Sequence, residues 1–267
     1  MNTLELLPAS SAKSSNLAFA LRCLPADRRK DAMLFYRFCR TIDDIADRSG
    51  LTDGERREQL GAWLEAVQSG LPLVLEDVVT RHAIDRTLLV EIIKGCASDI
   101  ATQRFQSFAD LEQYCWRVAA AVGLVSIKIF GCRDPESETY AIHLGHALQI
   151  TNILRDIRED ALQGRIYLPL DDLARFGIEE SEILNLQPSQ AFTALLRDQA
   201  GRARARFAAA IPPRVDFKPL LPARIMSAVY QRILDRMERE NFPVLHKRIT
   251  LSTREKVACL IGTWLRG

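Results

Sequence analysis

Apolar residues recur along almost the whole chain at spacings of three and four, and the strict alternation typical of strands is rare. A period of about 3.6 residues is that of amphipathic helices, each with one apolar face. The pattern predicts an all-α fold, a helical bundle with its breaks at proline and glycine. The predicted helices span residues 13–22, 26–47, 53–69, 84–99, 108–131, 134–161, 187–210, 219–241 and 252–265.

Local signals predict where some of these helices begin and end. Thr52 precedes a helical pattern and Glu55 follows three residues later, which is the spacing of a capping box. Gly131 is placed to end one helix, and Pro135 suits the first turn of the next. Pro169 disfavours helix at the residue before it, so the segment that leads to it is expected to be extended.

The chain shows no repeat, no low-complexity segment and no clear linker, so residues 1–267 are expected to form one domain. Residues 1–12 are expected to be a loose N-terminal segment. The predicted helix 108–131 is apolar on most sides, which indicates a central position in the bundle. The longest apolar run, residues 118–127, is too short to cross a bilayer.

Composition and charge exclude several classes of protein. The 36 basic and 34 acidic residues give a net charge of +2, which offers no electrostatic case for binding nucleic acid. Basic residues concentrate in the last third, where solvated helix faces are the simplest interpretation. Six cysteines without a CxxC pair indicate reduced thiols in the cytoplasm.

The sequence indicates no secretion signal, because the N-terminus lacks a basic start followed by an apolar core. We expect a cytoplasmic protein without a transmembrane segment, and peripheral contact with a membrane stays open. Oligomeric state is not encoded in any recognisable pattern.

Two acid-rich segments more than a hundred residues apart carry the candidate chemistry. Asp43 and Asp47 are four residues apart, and Asn152, Asp156 and Asp160 repeat this spacing, so each set projects from one stripe of a helix. Stacked carboxylates repel by about 0.2–0.5 kcal/mol per pair, so two such rows among apolar residues call for a cation. Oxygen ligands without a Cys/His cluster favour Mg²⁺, which commonly shares its coordination with substrate phosphates. The sequence therefore predicts an enzyme that binds diphosphates through magnesium.

Each acidic segment also has an ordinary structural interpretation. Asp43 and Asp47 alone are typical of a solvated, salt-bridged helix face, and Arg40 can pair with Asp43 or Asp44. The second stripe alone could be a buried polar network, with Arg155 paired to Glu159 four residues on. Two such stripes facing each other across a bundle favour the metal site.

Four motifs give the chain a family resemblance: Asp43-Asp-Ile-Ala-Asp47, Tyr114-Cys-Trp-Arg-Val-Ala, Gln149-Ile-Thr-Asn-Ile-Leu-Arg-Asp-Ile-Arg-Glu-Asp160 and Gly164-Arg-Ile-Tyr-Leu-Pro169. Together they resemble the squalene/phytoene synthase family, from about Ser14 to Lys256. The resemblance implies a helical isoprenoid-synthase fold with a central cavity. It also implies head-to-head (1'-1) joining of two allylic prenyl diphosphates through a cyclopropyl intermediate.

The resemblance assigns roles position by position. The magnesium ligands it implies, whose carboxylates also count as catalytic, are Asp43, Asp47, Asn152, Asp156 and Asp160. The groups it implies for holding diphosphate or orienting the acids are Ser14, Arg40, Gln149, Arg155, Arg165 and Arg248. The hydroxyls it implies near the reacting centre are those of Tyr36, Tyr114 and Tyr230.

The apolar part of the cavity is expected to contain aromatic faces that stabilise a carbocation. Ala120 replaces a glycine common in the family and is expected to narrow the tunnel, and Phe105 replaces a tyrosine. Leu17, Leu21 and Met33 are expected where the depth of the pocket is set. The aromatic candidates for the lining are Phe19, Phe35, Phe38, Phe105, Phe108, Tyr114 and Trp116.

The leading hypothesis is a bacterial Mg²⁺-dependent prenyltransferase that makes presqualene diphosphate or squalene from two farnesyl diphosphates, in hopanoid, sterol or carotenoid precursor synthesis. NADPH participates only if the reaction proceeds to squalene. One alternative is phytoene synthesis from two geranylgeranyl diphosphates, and a second is a non-catalytic relative that acts as an assembly factor. A terpene cyclase of similar fold is disfavoured by the continuation from Arg165 to Pro169.

Overall fold

The computed structural model describes residues 16–101 and 103–266, and within these ranges every regular element is helical. This confirms the predicted all-α class. The α-helices are α1 (Asn16–Leu21), α2 (Ala26–Ala46), α3 (Asp53–Ser69), α4 (Leu73–Arg81), α5 (Arg86–Ser98), α6 (Phe108–Cys115), α7 (Ala121–Phe130), α8 (Glu136–Leu162), α9 (Leu170–Phe176), α10 (Glu180–Leu184), α11 (Gln190–Ala209), α12 (Leu221–Arg239) and α13 (Thr253–Leu265).

Most predicted helices are present, with ends within a few residues of those expected. The capping box between Thr52 and Glu55 is formed, and Gly131 ends α7 with a φ of 85° in the left-handed region. The short helices α4, α9 and α10 were not predicted. Both α4 and α9 begin directly after a proline, Pro72 and Pro169, and the sequence analysis did not treat these two prolines as helix starts. Residues 1–12 and the first three residues of predicted helix 13–22 lie outside the described ranges.

The predicted helix 108–131 is not continuous. A π-helical turn, Trp116–Ala120, separates α6 from α7, and such turns are frequent at functional sites. Two glycines allow neighbouring helices to approach this turn closely. A Cβ atom on Gly95 of α5 would lie 2.7 Å from the Val118 side chain, and one on Gly145 of α8 would lie 2.7 Å from the Ala120 backbone.

The core consists of two hydrophobic clusters. One surrounds α8, which packs against α11, α12, α7 and the π turn. The other joins α2, α3 and α5, where the ring of Phe38 lies 5.6 Å from that of Trp63. The acidic helices α2 and α8 therefore belong to different clusters. No helix in the described part of the chain is long and apolar enough to cross a membrane.

Candidate active site

A cavity of about 530 Å³ lies between α2, α5, α8 and α12, and both acidic rows line it. Asp43 projects from α2 and Asp47 from its C-terminal cap, and Asn152, Asp156 and Asp160 project from α8. The structure thus brings together all five predicted metal ligands around one space. Apolar side chains complete the lining: Leu17, Ile92, Val118, Val122, Ile153 and Met226.

A second chamber of about 390 Å³ adjoins the first and is more basic. Arg40, Arg155, Arg248 and Lys256 line it, which places four cationic side chains around one space. Such a lining suits a diphosphate, because arginine presents a planar fork of donors that matches phosphate oxygens. The residues shared by the two chambers are Asn16, Tyr36, Arg40, Asn152, Arg155, Tyr230 and Arg248.

The packing of the two helices explains why the acids face the cavity. On α2, Ile42 and Ile45 are 0% and 5% exposed in the core, which directs the opposite stripe with Asp43 and Asp47 away from the core. On α8, Leu154 and Ile157 are buried in the same way. Each helix is therefore held by an apolar face while a row of oxygens at four-residue spacing faces the cavity.

The α2 row is paired with two arginines. The Arg40 guanidinium donates to Asp43 and, at 2.6 Å, to Asp44, so both pairings open to Arg40 are made. Arg165, just beyond α8, donates to Asp47 at 2.9 Å and so connects the two acidic helices. Burial raises the pKa of Asp43 to about 6 although Arg40 opposes this shift. The side chain of Asp43 is 44% exposed, and it lines the cavity.

The α8 row is held differently, because two arginines converge on Asp156. Arg155 donates to its carboxylate at 2.8 and 2.6 Å, and Arg248 donates at 2.7 and 3.2 Å. Burial alone would raise the pKa of Asp156, but the hydrogen bonds from both arginines outweigh it and the pKa is lowered. The prediction that Arg155 pairs with Glu159 is wrong, since Arg155 binds its neighbour Asp156 instead.

Two side chains on the α8 stripe carry oxygens that could bind a metal and that have no hydrogen-bond or ion-pair partner among the described residues. The Oδ1 atom of Asn152 is buried without a hydrogen bond, while its Nδ2 donates to Gln149 at 3.4 Å. Asp160 forms no ion pair in residues 16–101 and 103–266, and burial together with the charge of Asp156 raises its pKa to about 7. An unpaired amide oxygen and an unpaired carboxylate fit a hard divalent cation.

The electrostatic premise of the sequence analysis needs one correction. The acidic rows do not depend on a metal alone, because Arg40, Arg155, Arg165 and Arg248 neutralise much of their charge. Among the described residues, no three or more His, Cys, Asp or Glu side chains are close enough to enclose a metal ion. This arrangement suits Mg²⁺, which usually takes one or two carboxylates and completes its shell with water and phosphate.

Tyrosines supply the aromatic part of the lining. The predicted Tyr36, Tyr114 and Tyr230 all line the cavity, and Tyr167 joins them. Tyr114 and Tyr167 donate their hydroxyls to the two oxygens of Asp99, at 2.9 and 2.8 Å. Burial raises the pKa of Asp99 to about 6, although both hydroxyl bonds oppose the shift.

The sequence analysis missed Asp99 and Tyr167 as site residues. A signal for Asp99 exists, since it follows the last residue of α5. The negative end of the helix dipole disfavours a carboxylate at that position, so an acid there points to a role outside the helix.

Several expected lining residues lie elsewhere. Of the seven aromatic candidates, only Tyr114 lines the main cavity, because Phe38 and others pack in the core. Ala120 does not narrow the tunnel, since it is fully buried against Gly145 and is not part of the lining. Met33 lines neither chamber. Ser14 lies outside the described residues, so its predicted contact with diphosphate stays a prediction.

Comparison with known proteins decides the family. Residues 10–255 match the sequence model of squalene/phytoene synthases. The chain belongs to the squalene/phytoene synthase family. Members use prenyl diphosphates and generally depend on a divalent metal. Membership confirms the predicted prenyltransferase class.

Two curated relatives of this family member carry different names. A presqualene diphosphate synthase from Zymomonas mobilis is 36% identical, over 96% of this chain and 90% of that protein. A phytoene synthase from Arthrospira platensis is 33% identical, over 97% of this chain and 91% of that protein. A crystal structure of a dehydrosqualene synthase in complex with a ligand superimposes with a TM-score of 0.84, covering 96% of this chain and 93% of that one at 24% identity. That likeness shows the isoprenoid-synthase fold.

Proposed function

We propose that the protein joins two farnesyl diphosphates head to head to give presqualene diphosphate, with squalene as the product if reduction follows. The observation that carries this proposal is one cavity lined by both acidic rows, by arginines paired with those rows, and otherwise by apolar and tyrosine side chains. Ionising an allylic diphosphate requires fixed positive charge at the departing group and a dry cavity for the cation left behind.

The residues of the two chambers have defined roles in this proposal. Arg40, Arg155, Arg248 and Lys256 hold and neutralise diphosphate. The faces of Tyr36, Tyr114 and Tyr230 stabilise positive charge on the prenyl chain, and the apolar lining excludes water. Asp43, Asp47, Asn152, Asp156 and Asp160 would hold Mg²⁺, which when bound would supply further positive charge to the leaving diphosphate.

The end of the cavity near α1 supports the shorter substrate. Leu17, Tyr36, Cys39 and Val122 line the main cavity and also a neighbouring space of about 10 Å³. That volume holds about one water molecule, and Leu21 is among the residues that surround it. A C20 chain that extended in this direction would have to displace packed side chains, whereas a C15 chain requires less depth.

The second candidate is phytoene synthesis from two geranylgeranyl diphosphates, which the 33% identity to a phytoene synthase favours. Purified protein should be incubated separately with C15 and C20 diphosphates and Mg²⁺, with and without NADPH, and the products analysed by mass spectrometry. We expect a C30 product from the C15 substrate. A product from C20 diphosphate only would establish the phytoene alternative.

Chelation distinguishes the enzyme from a non-catalytic assembly factor. EDTA should abolish product formation and added Mg²⁺ should restore it, because the cavity oxygens require a cation to bind diphosphate productively. Absence of product from either substrate under all metal conditions would favour the assembly factor.

A further inference from the structure

The last helix, α13, exposes apolar side chains on its outward face. Val257, Ile261, Trp264 and Leu265 are 39%, 49%, 65% and 71% exposed, and their spacing places them on one side of the helix. We call this set the C-terminal apolar face. On the inner side, Cys259 and Thr263 contact α12. Single exposed apolar residues are normal, whereas four on one helix face indicate a binding surface.

A loop connected to α13 through Arg224 carries further exposed apolar groups. Ile211 and Val215, between α11 and α12, are each 72% exposed. The loop is tied to α13 through Arg224, whose guanidinium donates to the carbonyl of Phe217 and to that of Thr263, both at 3.2 Å. Six of the nine large apolar residues exposed in the described ranges therefore lie on α13 and this loop.

The charge of this part of the chain favours an anionic partner. Residues 211–267 hold eleven arginines and lysines, of which Arg248 and Lys256 line the second chamber, and five aspartates and glutamates, whereas the whole chain has a net charge of only +2. The rest of the chain is consequently net negative. The basic side chains exposed on α13, on the turn after it and on the loop are Arg214, Lys218, Arg254 and Arg266.

We propose that the C-terminal apolar face docks the protein on an anionic lipid bilayer, with α13 lying in the plane of the interface. A helix that combines apolar residues with flanking basic ones binds in this way, and a tryptophan suits the boundary between headgroups and acyl chains. A second copy of the chain is a weaker candidate, because two equally basic faces repel each other. The proposal does not depend on which prenyl diphosphate the cavity binds.

Vesicle co-sedimentation tests the docking surface. Vesicles of equal parts phosphatidylcholine and phosphatidylglycerol should bind the protein at least about tenfold more tightly than pure phosphatidylcholine vesicles, and added salt should weaken the binding. The double variant Ile261→Ser/Leu265→Ser should bind at least about tenfold more weakly, because it removes apolar area without changing charge. The matched control is Leu73→Ser on α4, where Leu73 is 82% exposed, and its binding should be unchanged.

Intrinsic fluorescence gives a second readout. Anionic vesicles should shift the emission of the protein to shorter wavelength, and Trp264→Phe should remove this shift, since the ring of Trp264 would enter the interface. Circular dichroism confirms that each variant is folded. Turnover of a short-chain diphosphate without lipid should stay unchanged in all of them, because none of these residues lines either chamber.

Three results would overturn the proposal. Binding to neutral vesicles as tight as to anionic ones would exclude an anionic partner, and full binding by the double variant would exclude this face. A dimer in light scattering that the double variant dissociates, together with no vesicle binding, would assign the face to a second copy of the chain. Each of these results would leave the proposed condensation untouched.

Discussion

The two acidic helices carry the same four-residue spacing but differ in how their charges are held. On α8, Arg155 and Arg248 both bind Asp156, and the pKa of that carboxyl is lowered. On α2, a single Arg40 serves both Asp43 and Asp44, and the pKa of Asp43 rises to about 6. Spacing along a helix places the carboxylates, whereas burial and the arginines bound to each one set the direction in which its pKa moves.

Each row is bound by one arginine close in sequence and by one from a distant segment, which is Arg165 for the α2 row and Arg248 for the α8 row. Arg40 lies one turn from its partners on α2, so its pairing follows from local sequence. Arg248 comes from the segment between α12 and α13, 92 positions from Asp156. Both rows therefore depend partly on tertiary structure, but only on α8 do the two arginines bind the same carboxylate, so we expect Asp156 to tolerate substitution least.

The largest expected effect is that of Asp156→Ala. This change removes a carboxylate that two arginines position and that is also a predicted metal ligand. Turnover should therefore fall by about a thousandfold or more. Circular dichroism should show an intact helical fold. Unchanged product formation would refute both the metal assignment and the special status of the α8 row.

Arg165→Gln should have the next largest effect, because Arg165 donates to Asp47 from the segment beyond α8 and so connects the two rows. We expect kcat/KM to fall by roughly tenfold to a hundredfold, as is typical when a charged group that positions substrate is lost. Arg165→Lys should recover part of this loss, since the charge is retained without the planar fork. Equal kinetics for Gln, Lys and wild type would show that the rows act without this connection.

Asp160→Asn should stabilise the metal-free protein while it lowers turnover. The folded-state pKa of Asp160 is raised to about 7, so its contribution to stability is present below the unfolded pKa of about 4 and is lost as pH rises to about 7. Denaturant unfolding in EDTA should show a gain of about 1–2 kcal/mol for the variant at pH 8, after allowance for water in the cavity. The gain should shrink toward pH 4, and a gain independent of pH would contradict the assigned cause.

Asp44→Asn should have the smallest effect and serves as the matched control on α2. Asp44 shares Arg40 with Asp43, but it does not line either chamber. Because Arg40 keeps its bond to Asp43, we expect kcat/KM to change by less than about threefold. A loss comparable to that of Asp156→Ala would show that the α2 row uses a different set of carboxylates from the one assigned here.

Much of the fold and of the acidic rows could be predicted, because both depend on periodicity within single helices. The 3.6-residue pattern predicted α2 and α8, and the same spacing placed Asp43 and Asp160 on their stripes. The π turn could not be predicted in this way, because the apolar periodicity runs on through it; Gly95 and Gly145 from other helices pack closely against it. The family resemblance gave Arg248 as a phosphate-contacting residue, but its contact with Asp156 was not predicted, because no local pattern joins positions 92 residues apart.

Residues brought together from distant segments were the ones missed. Asp99 and Tyr167, which were missed, meet the predicted Tyr114 only in the folded chain, and no single stretch of sequence contains all three. The short helix α4 was missed because its valines have weak helix propensity and it follows Pro72.

The seven residues common to both chambers have a consequence for binding. A molecule in either chamber touches side chains that also line the other chamber. The first ligand to enter therefore becomes part of the surface that the second ligand meets. Two prenyl diphosphates could not then bind as independent events, and their affinities would be coupled reciprocally. The dependence of rate on substrate concentration should accordingly depart from that of two separate, equivalent sites.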